Sequence, residues 1–265
     1  MTNKKCWICG EKATTREHRI KKSDIISKYG KGTYKGKNEI CIYEKNKNLQ
    51  MIRGANSTLL KYDKILCSNC NNSKTQLFDR AYEKFIIYIN ENKNDILYKR
   101  FINFSDIYKN NMEEGQRNLY KYFVKSFGSR LAHFGYPISQ DIIDLLDLDK
   151  FQTGLRLNFA VNEDKLYFGN LDNNLRNMIG NGAIFCNQSF VDKTANIEYY
   201  TYNEYYDWLH INYYYNQFPD GNLGSTWIAD NQFIYLGSSY SNLTDDMREE
   251  MCAKAQQIVK IKEII

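Results

Sequence analysis

Four cysteines mark out the chemistry open to this chain. Cys6-Trp7-Ile8-Cys9 stands near the start, and Cys67-Ser68-Asn69-Cys70 follows after a long insert. Glu17-His18 lies between the two pairs, and Asn71-Asn72 comes directly after the second. Thiolates are soft ligands, and four of them satisfy the tetrahedral preference of zinc. A single C-x-x-C is common and can be a buried pair with no metal. Two such pairs flanking a Glu-His read instead as one four-thiolate zinc site, Cys6, Cys9, Cys67 and Cys70.

The order C-x-x-C, acidic-His, C-x-x-C-Asn resembles the HNH endonucleases, also known as ββα-metal or His-Me finger nucleases. In layout it is most similar to zinc-stapled members such as phage recombination endonuclease VII. Cys6, Cys9, Glu17, His18, Cys67, Cys70 and Asn71 carry the resemblance, and Lys74-Thr75 is similar to the Lys-Thr that often follows the second knuckle. It covers residues 1–80 only. It implies a zinc-stapled, treble-clef-like ββα-metal domain with His18 as general base and Glu17 and Asn71 as ligands of a catalytic Mg²⁺ or Mn²⁺. Such nucleases more often carry Asp where this chain has Glu17. Their middle Asn usually precedes the second knuckle by a few residues. Here Tyr62 or Asp63 stands near that position, and Asn56 is the nearest upstream Asn.

The residue types suit that role. Phosphodiester hydrolysis needs an activated water, charge relief on the transition state and a stabilised leaving 3′ oxygen. A histidine can take a proton near neutral pH, and a carboxylate and an amide oxygen are hard ligands suited to Mg²⁺ or Mn²⁺. With four cysteines present, zinc has no need of His18. Asn72 and Asp79 are further candidates, against plainer readings as a helix cap and a solvated carboxylate.

The flanking sequence must supply elements that hold these groups. Thr14–His18 is β-compatible. Residues 19–37 carry Arg19, Lys21, Lys22, Lys28, Lys31, Lys35 and Lys37 among three glycines, and read as a basic loop that could follow a phosphate backbone. Arg19, Lys21, Lys22, Lys28, Lys31 and Lys74 are the expected nucleic-acid contacts. Short strands at 40–43 and 49–52, around a turn at 45–48, would lengthen the ββ part. Asn71 opens a helix with an apolar stripe of Leu77, Phe78, Ala81, Tyr82, Phe85, Ile86 and Ile89. Asn71, Thr75 and Asp79 share its other face.

Residues 90–112 are polar and suggest a boundary, which gives a nuclease domain at 1–100 and an α+β domain at 113–265. A helix over Gly115–Phe134 has the stripe Leu119, Tyr122, Phe123, Phe127 and Leu131, ended by Gly135 and Pro137. Ser139 caps a short helix to Leu148. Leu155–Val161 and Lys165–Leu171 suggest a hairpin, and further strands are expected at 183–187, 196–202 and 225–236, then a helix after Thr244. The tyrosine run Tyr199–Tyr215 reads as aromatic core in preference to a base-stacking surface, because its neighbourhood is acidic. His133 ends a helix, where a cation is favoured. Neither it nor His210 reads as catalytic.

Composition fits this picture. Of 265 residues, 43% are hydrophobic and 25% charged, as in an ordinary globular protein. Residues 1–80 hold 18 Lys and Arg against 7 Asp and Glu, a surplus of +11, whereas the chain as a whole is only +5. The basic surplus lies with the cysteine motif, as in nucleic-acid-binding modules. The sequence shows no apolar leader and no membrane span, so a cytoplasmic, reducing setting is expected, with thiolates used for metal. Cys41, Cys186 and Cys252 read as small core residues. The resulting expectation is a DNA-cutting HNH endonuclease, suited to restriction or phage defence. The rival is a non-catalytic zinc module that binds nucleic acid. The C-terminal part is expected to serve targeting, regulation or a homodimer contact.

Overall fold

The computed structural model describes residues 4–34, 40–42, 50–166, 179–181, 185–191, 194–216 and 226–240, with Asp246, Glu249 and Ala253. The elements run β1 (Thr15–His18), α1 (Lys22–Tyr29), β2 (Ile40–Ile42), β3 (Gln50–Ile52), β4 (Lys61–Leu66) and α2 (Gln76–Glu91). Then come α3 (Lys93–Lys99), β5 (Phe101–Asn103), α4 (Phe104–Tyr108), α5 (Met112–Phe134) and α6 (Gln140–Asp147). Strands follow: β6 (Leu155–Asn162), β7 (Ile179–Asn181), β8 (Phe185–Val191), β9 (Thr194–Tyr206), β10 (Leu209–Asn216), β11 (Thr226–Trp227), β12 (Phe233–Tyr235) and β13 (Gly237–Ser239). The chain is mixed α+β, and no helix among the described residues is long and apolar enough to cross a membrane.

The chain divides into two compact units, Met1–Tyr88 with Asn110–Thr153, and Ile89–Lys109 with Gly154–Ile265. Sequence reading sets a boundary at 90–112; the structure groups α5 and α6 with the cysteine motif. In the first unit β1 pairs antiparallel with β4, and α2 follows. Among the described residues β2 and β3 pair with each other as a two-stranded sheet separate from the β1–β4 pair. The expected basic loop at 19–37 contains α1 instead. Its Ile25 is buried with Tyr34, Ile52, Ala55 and Leu60, and Ile20, Ile26 and Tyr29 pack on that cluster. This small core lets the helix persist despite its lysines.

α5 lies on the knuckle. The Trp7 indole covers Gly128, where an added Cβ would stand 2.4 Å from Trp7 Cη2. Trp7 Nε1 donates to Ser129 Oγ at 3.3 Å. Tyr82 of α2 stacks on Tyr122 at 3.9 Å, and Phe85 meets Phe123 edge-on. Gly135, at φ +76°, closes α5 in the left-handed region, as the sequence suggests. Gly128→Ala sets two effects in opposition. In a helix interior the change gains up to about 1 kcal/mol, but overpacking a rigid ring costs about 1–3 kcal/mol. The clash should win, and thermal unfolding should show a lower midpoint; a raised midpoint would refute the close Trp7 contact.

In the second unit a seven-stranded sheet has the order β11-β6-β10-β9-β7, with β13 parallel to β6 and β8 on β9. The expected partner of β6 at 165–171 is not described beyond Leu166; β6 pairs with β10 in full register from Leu155↔Tyr215 to Val161↔Leu209. Tyr200, Tyr202, Tyr206, Tyr213 and Tyr215 are buried, so this part of the tyrosine run is core. The buried Tyr202 and Tyr213 hydroxyls both donate to Glu204. Lys35, Lys37, the 45–48 turn, the helix after Thr244 and the side chains of Cys41, Cys186 and Cys252 lie wholly or largely outside the described residues.

Candidate metal centre and active site

The first knuckle is a tight turn. Gly10 N donates to Cys6 O at 2.9 Å, with Gly10 at φ +77°, where a side chain would be strained. Trp7 N donates to Ile65 O at 3.2 Å and Thr14 N to Leu66 O at 2.9 Å, which ties this turn to β4. The second knuckle follows β4 directly. Cys70 N donates to Cys67 Sγ at 3.4 Å, and the buried Thr75 hydroxyl donates to Cys70 O at 2.9 Å. Residues Asn69–Lys74 form a wide π-helical turn before α2 begins.

These contacts bring all four sulfurs within 4.8 Å of one another, with Cys9 Sγ and Cys67 Sγ 3.6 Å apart. A tetrahedral S₄ site with metal–sulfur bonds near 2.3 Å has sulfurs about 3.8 Å apart. The cluster could therefore hold a structural metal such as zinc.

Glu17 and His18 are neighbours on β1, and a regular strand would point them to opposite faces. The register slips between Arg16 (opposite Lys64) and His18 (opposite Lys61), an irregularity of the kind that re-aims side chains. The charges of Lys125 and Asp79 act on both residues. Lys125 Nζ of α5 lies 3.2 Å from Glu17 Oε2 and 3.5 Å from Asp79 Oδ2 of α2. Burial pushes the Glu17 carboxyl up from its ordinary range, and the Lys125 ammonium pulls it back. Burial, with the ammoniums of Lys61, Lys22 and Lys125, pushes the His18 imidazole down to about 4, against the pull of Asp79. His18 is therefore neutral at pH 7.

His18 Nε2 and Asn71 Oδ1 are buried and have no hydrogen-bond partner among the described residues. A buried polar group left unsatisfied costs about 1–3 kcal/mol; Gln116 Oε1, Trp208 Nε1 and His210 Nε2 are likewise without a partner among the described residues. A neutral imidazole nitrogen and an amide oxygen are both able to meet a water or a hard cation. Glu17 and Asn71 are of donor types that suit a hard cation, whereas the group placed to hold a metal among the described His, Cys, Asp and Glu residues is the four cysteines.

The expected phosphate-binding cations divide into two groups. Lys22 and Lys31 are exposed, and Lys28 is half-buried. Lys21 is turned inward to Asp79 at 3.2 Å and Glu83 at 3.3 Å. Lys74 donates to the backbone oxygen of Asp147 at 2.9 Å and pairs with its carboxylate. Arg19 Nη2 lies 3.0 Å from His133 Nε2. Burial and the Arg19 charge lower the His133 pKa, which works against the helix-end cation suggested by its position. Of the residues near the expected middle position, Tyr62 buries its ring beside His133 and Arg19, Asp63 pairs with Lys4, and Asn56 is exposed. Lys125, which sequence reasoning missed, is the group beside Glu17.

In the second unit His210 is buried, stacks on Tyr205 at 4.4 Å and shares a hydrogen bond with Ser239 Oγ at 2.6 Å. No protein-family model, curated protein or solved structure matches the chain.

Proposed function

We propose that the first unit is a metal-dependent endonuclease of the HNH type that hydrolyses DNA phosphodiester bonds. The observation that carries this reading is the pair of buried atoms His18 Nε2 and Asn71 Oδ1, without a partner among the described residues, in a unit that also holds the half-buried Glu17 against Lys125. These three residues are the ones singled out by the C-x-x-C, Glu-His, C-x-x-C-Asn pattern. Cys6, Cys9, Cys67 and Cys70 hold a structural zinc. Glu17 and Asn71 would hold a catalytic Mg²⁺ or Mn²⁺, which when bound supplies Lewis-acid stabilisation of the phosphate and the leaving oxygen.

In this reading His18 Nε2 accepts the proton of the attacking water. Burial and neighbouring ammoniums keep the ring neutral and ready to accept. An anionic phosphate beside it raises its proton affinity during the reaction. Lys22 and Lys31, exposed, supply sequence-independent attraction to the backbone. Restriction or phage defence is a suitable setting.

A second reading has one observation in its favour. Lys125 already answers the Glu17 charge, as it would in a non-catalytic zinc module that binds nucleic acid. The products decide between them. Water attack with departure of the 3′ oxygen leaves 5′-phosphate and 3′-hydroxyl ends. Nicks made in Mg²⁺ should therefore be sealed by DNA ligase without end repair, and Asn71→Ala should make few nicks. Ends that ligase cannot seal would contradict the mechanism.

A further inference from the structure

Lys125 is 2% exposed, in the middle of α5. A buried ammonium is tolerated only where its charge is answered. Here two carboxylates answer it, Glu17 Oε2 at 3.2 Å and Asp79 Oδ2 at 3.5 Å. The other Asp79 oxygen is held by Lys21 at 3.2 Å, so Asp79 is fixed between two lysines. Glu17 is the less committed partner, with Lys125 as the cation at its carboxylate.

We propose that Lys125 is a resident cation of the site that competes with the divalent ion for Glu17. Its ammonium neutralises Glu17 and Asp79 in the metal-free protein and is displaced from Glu17 when the ion binds. The inference rests on the assignment of Glu17 as a metal ligand. An ammonium and a dication repel each other at one carboxylate oxygen in a buried site. The lysine has a four-carbon flexible stem and a second carboxylate within reach, so it can leave Glu17 without losing all compensation. In this role Lys125 sets the divalent concentration at which the site fills. It is a positioning residue, not a member of the reacting set.

The test uses Mn²⁺ as probe on the full chain with its zinc in place, by electron paramagnetic resonance or calorimetry. Lys125→Met keeps the stem and removes the charge. It should bind Mn²⁺ at least about tenfold more tightly, equivalent to about 1.4 kcal/mol, and Lys125→Arg should restore the weaker binding. A lysine that only clamps α5 in place predicts equal or weaker Mn²⁺ binding by Lys125→Met, and that result would overturn the proposal. A second reading needs no variant: Mg²⁺ should shift the side-chain ¹⁵N resonance of Lys125 in the wild-type protein while that of Lys4 stays in place. An unmoved Lys125 resonance at saturating Mg²⁺ overturns the proposal even where the variants do not fold. If no protein binds Mn²⁺, the divalent assignment of Glu17 falls and the competition with it. If all bind alike, only the competition falls.

Discussion

His18→Ala should lose DNA cleavage by about 10²–10⁴-fold, the usual contribution of a positioned general base, while zinc content, fold and DNA affinity stay close to those of the parent. Two features separate this from a structural loss. His18 Nε2 has no hydrogen bond among the described residues, so deleting the ring breaks none of theirs at that atom. A base also acts only in the chemical step, so the rate should fall without a matching fall in binding. Single-turnover cleavage of a labelled duplex, beside binding measured in Ca²⁺, reads both quantities. Cleavage at the parental rate would remove His18 from the mechanism.

The second large effect concerns the four cysteines. They join the start of the chain to the start of α2 across the insert between Cys9 and Cys67, a long loop to close. Structural zinc sites supply about 10–16 kcal/mol in small peptides, against about 5–15 kcal/mol for the stability of a whole domain. Stripping the metal should therefore unfold the first unit. Metal analysis should find about one zinc per chain, as four thiolate ligands require. Chelation, or Cys67→Ser, should abolish the cooperative unfolding of this unit and expose Trp7, packed now against Gly128. A protein free of zinc with its near-ultraviolet circular dichroism intact would contradict the structural role.

Much of this site was legible in the sequence because its signals are local. The C-x-x-C spacings give the knuckles. The stripe Leu77, Phe78, Ala81, Tyr82, Phe85, Ile86 and Ile89 gives α2, and Leu119, Tyr122, Phe123, Phe127 and Leu131 give α5; all are buried except Leu77, which is 51% exposed, and Tyr122, which is half-buried. What escaped depends on distant partners. β4 has no clean alternation, and its partner β1 lies on the far side of the insert. α1 looks like a lysine-rich loop until Tyr34, Ile52 and Leu60 cover Ile25. Lys125 is invisible as a site residue because a lysine in a helix ordinarily faces water. Only the meeting of α5 with β1 and α2 sets it between Glu17 and Asp79. That meeting also moves the boundary between compact units, since Asn110–Thr153 joins the cysteine motif. A fragment ending near residue 112 would lack Lys125 and the Gly128 face that covers Trp7, so it would be a poor test of the nuclease.

The most direct measurement is made on the wild-type full chain. Purified protein with its zinc retained, free of other divalent ions, is incubated with supercoiled plasmid, and Mg²⁺ or Mn²⁺ is then added. Hydrolysis by the Glu17, His18 and Asn71 site predicts intact plasmid before the addition and nicked or linear DNA after it. Plasmid that is bound but remains supercoiled in both ions would contradict the account and leave a nucleic-acid-binding zinc module in its place.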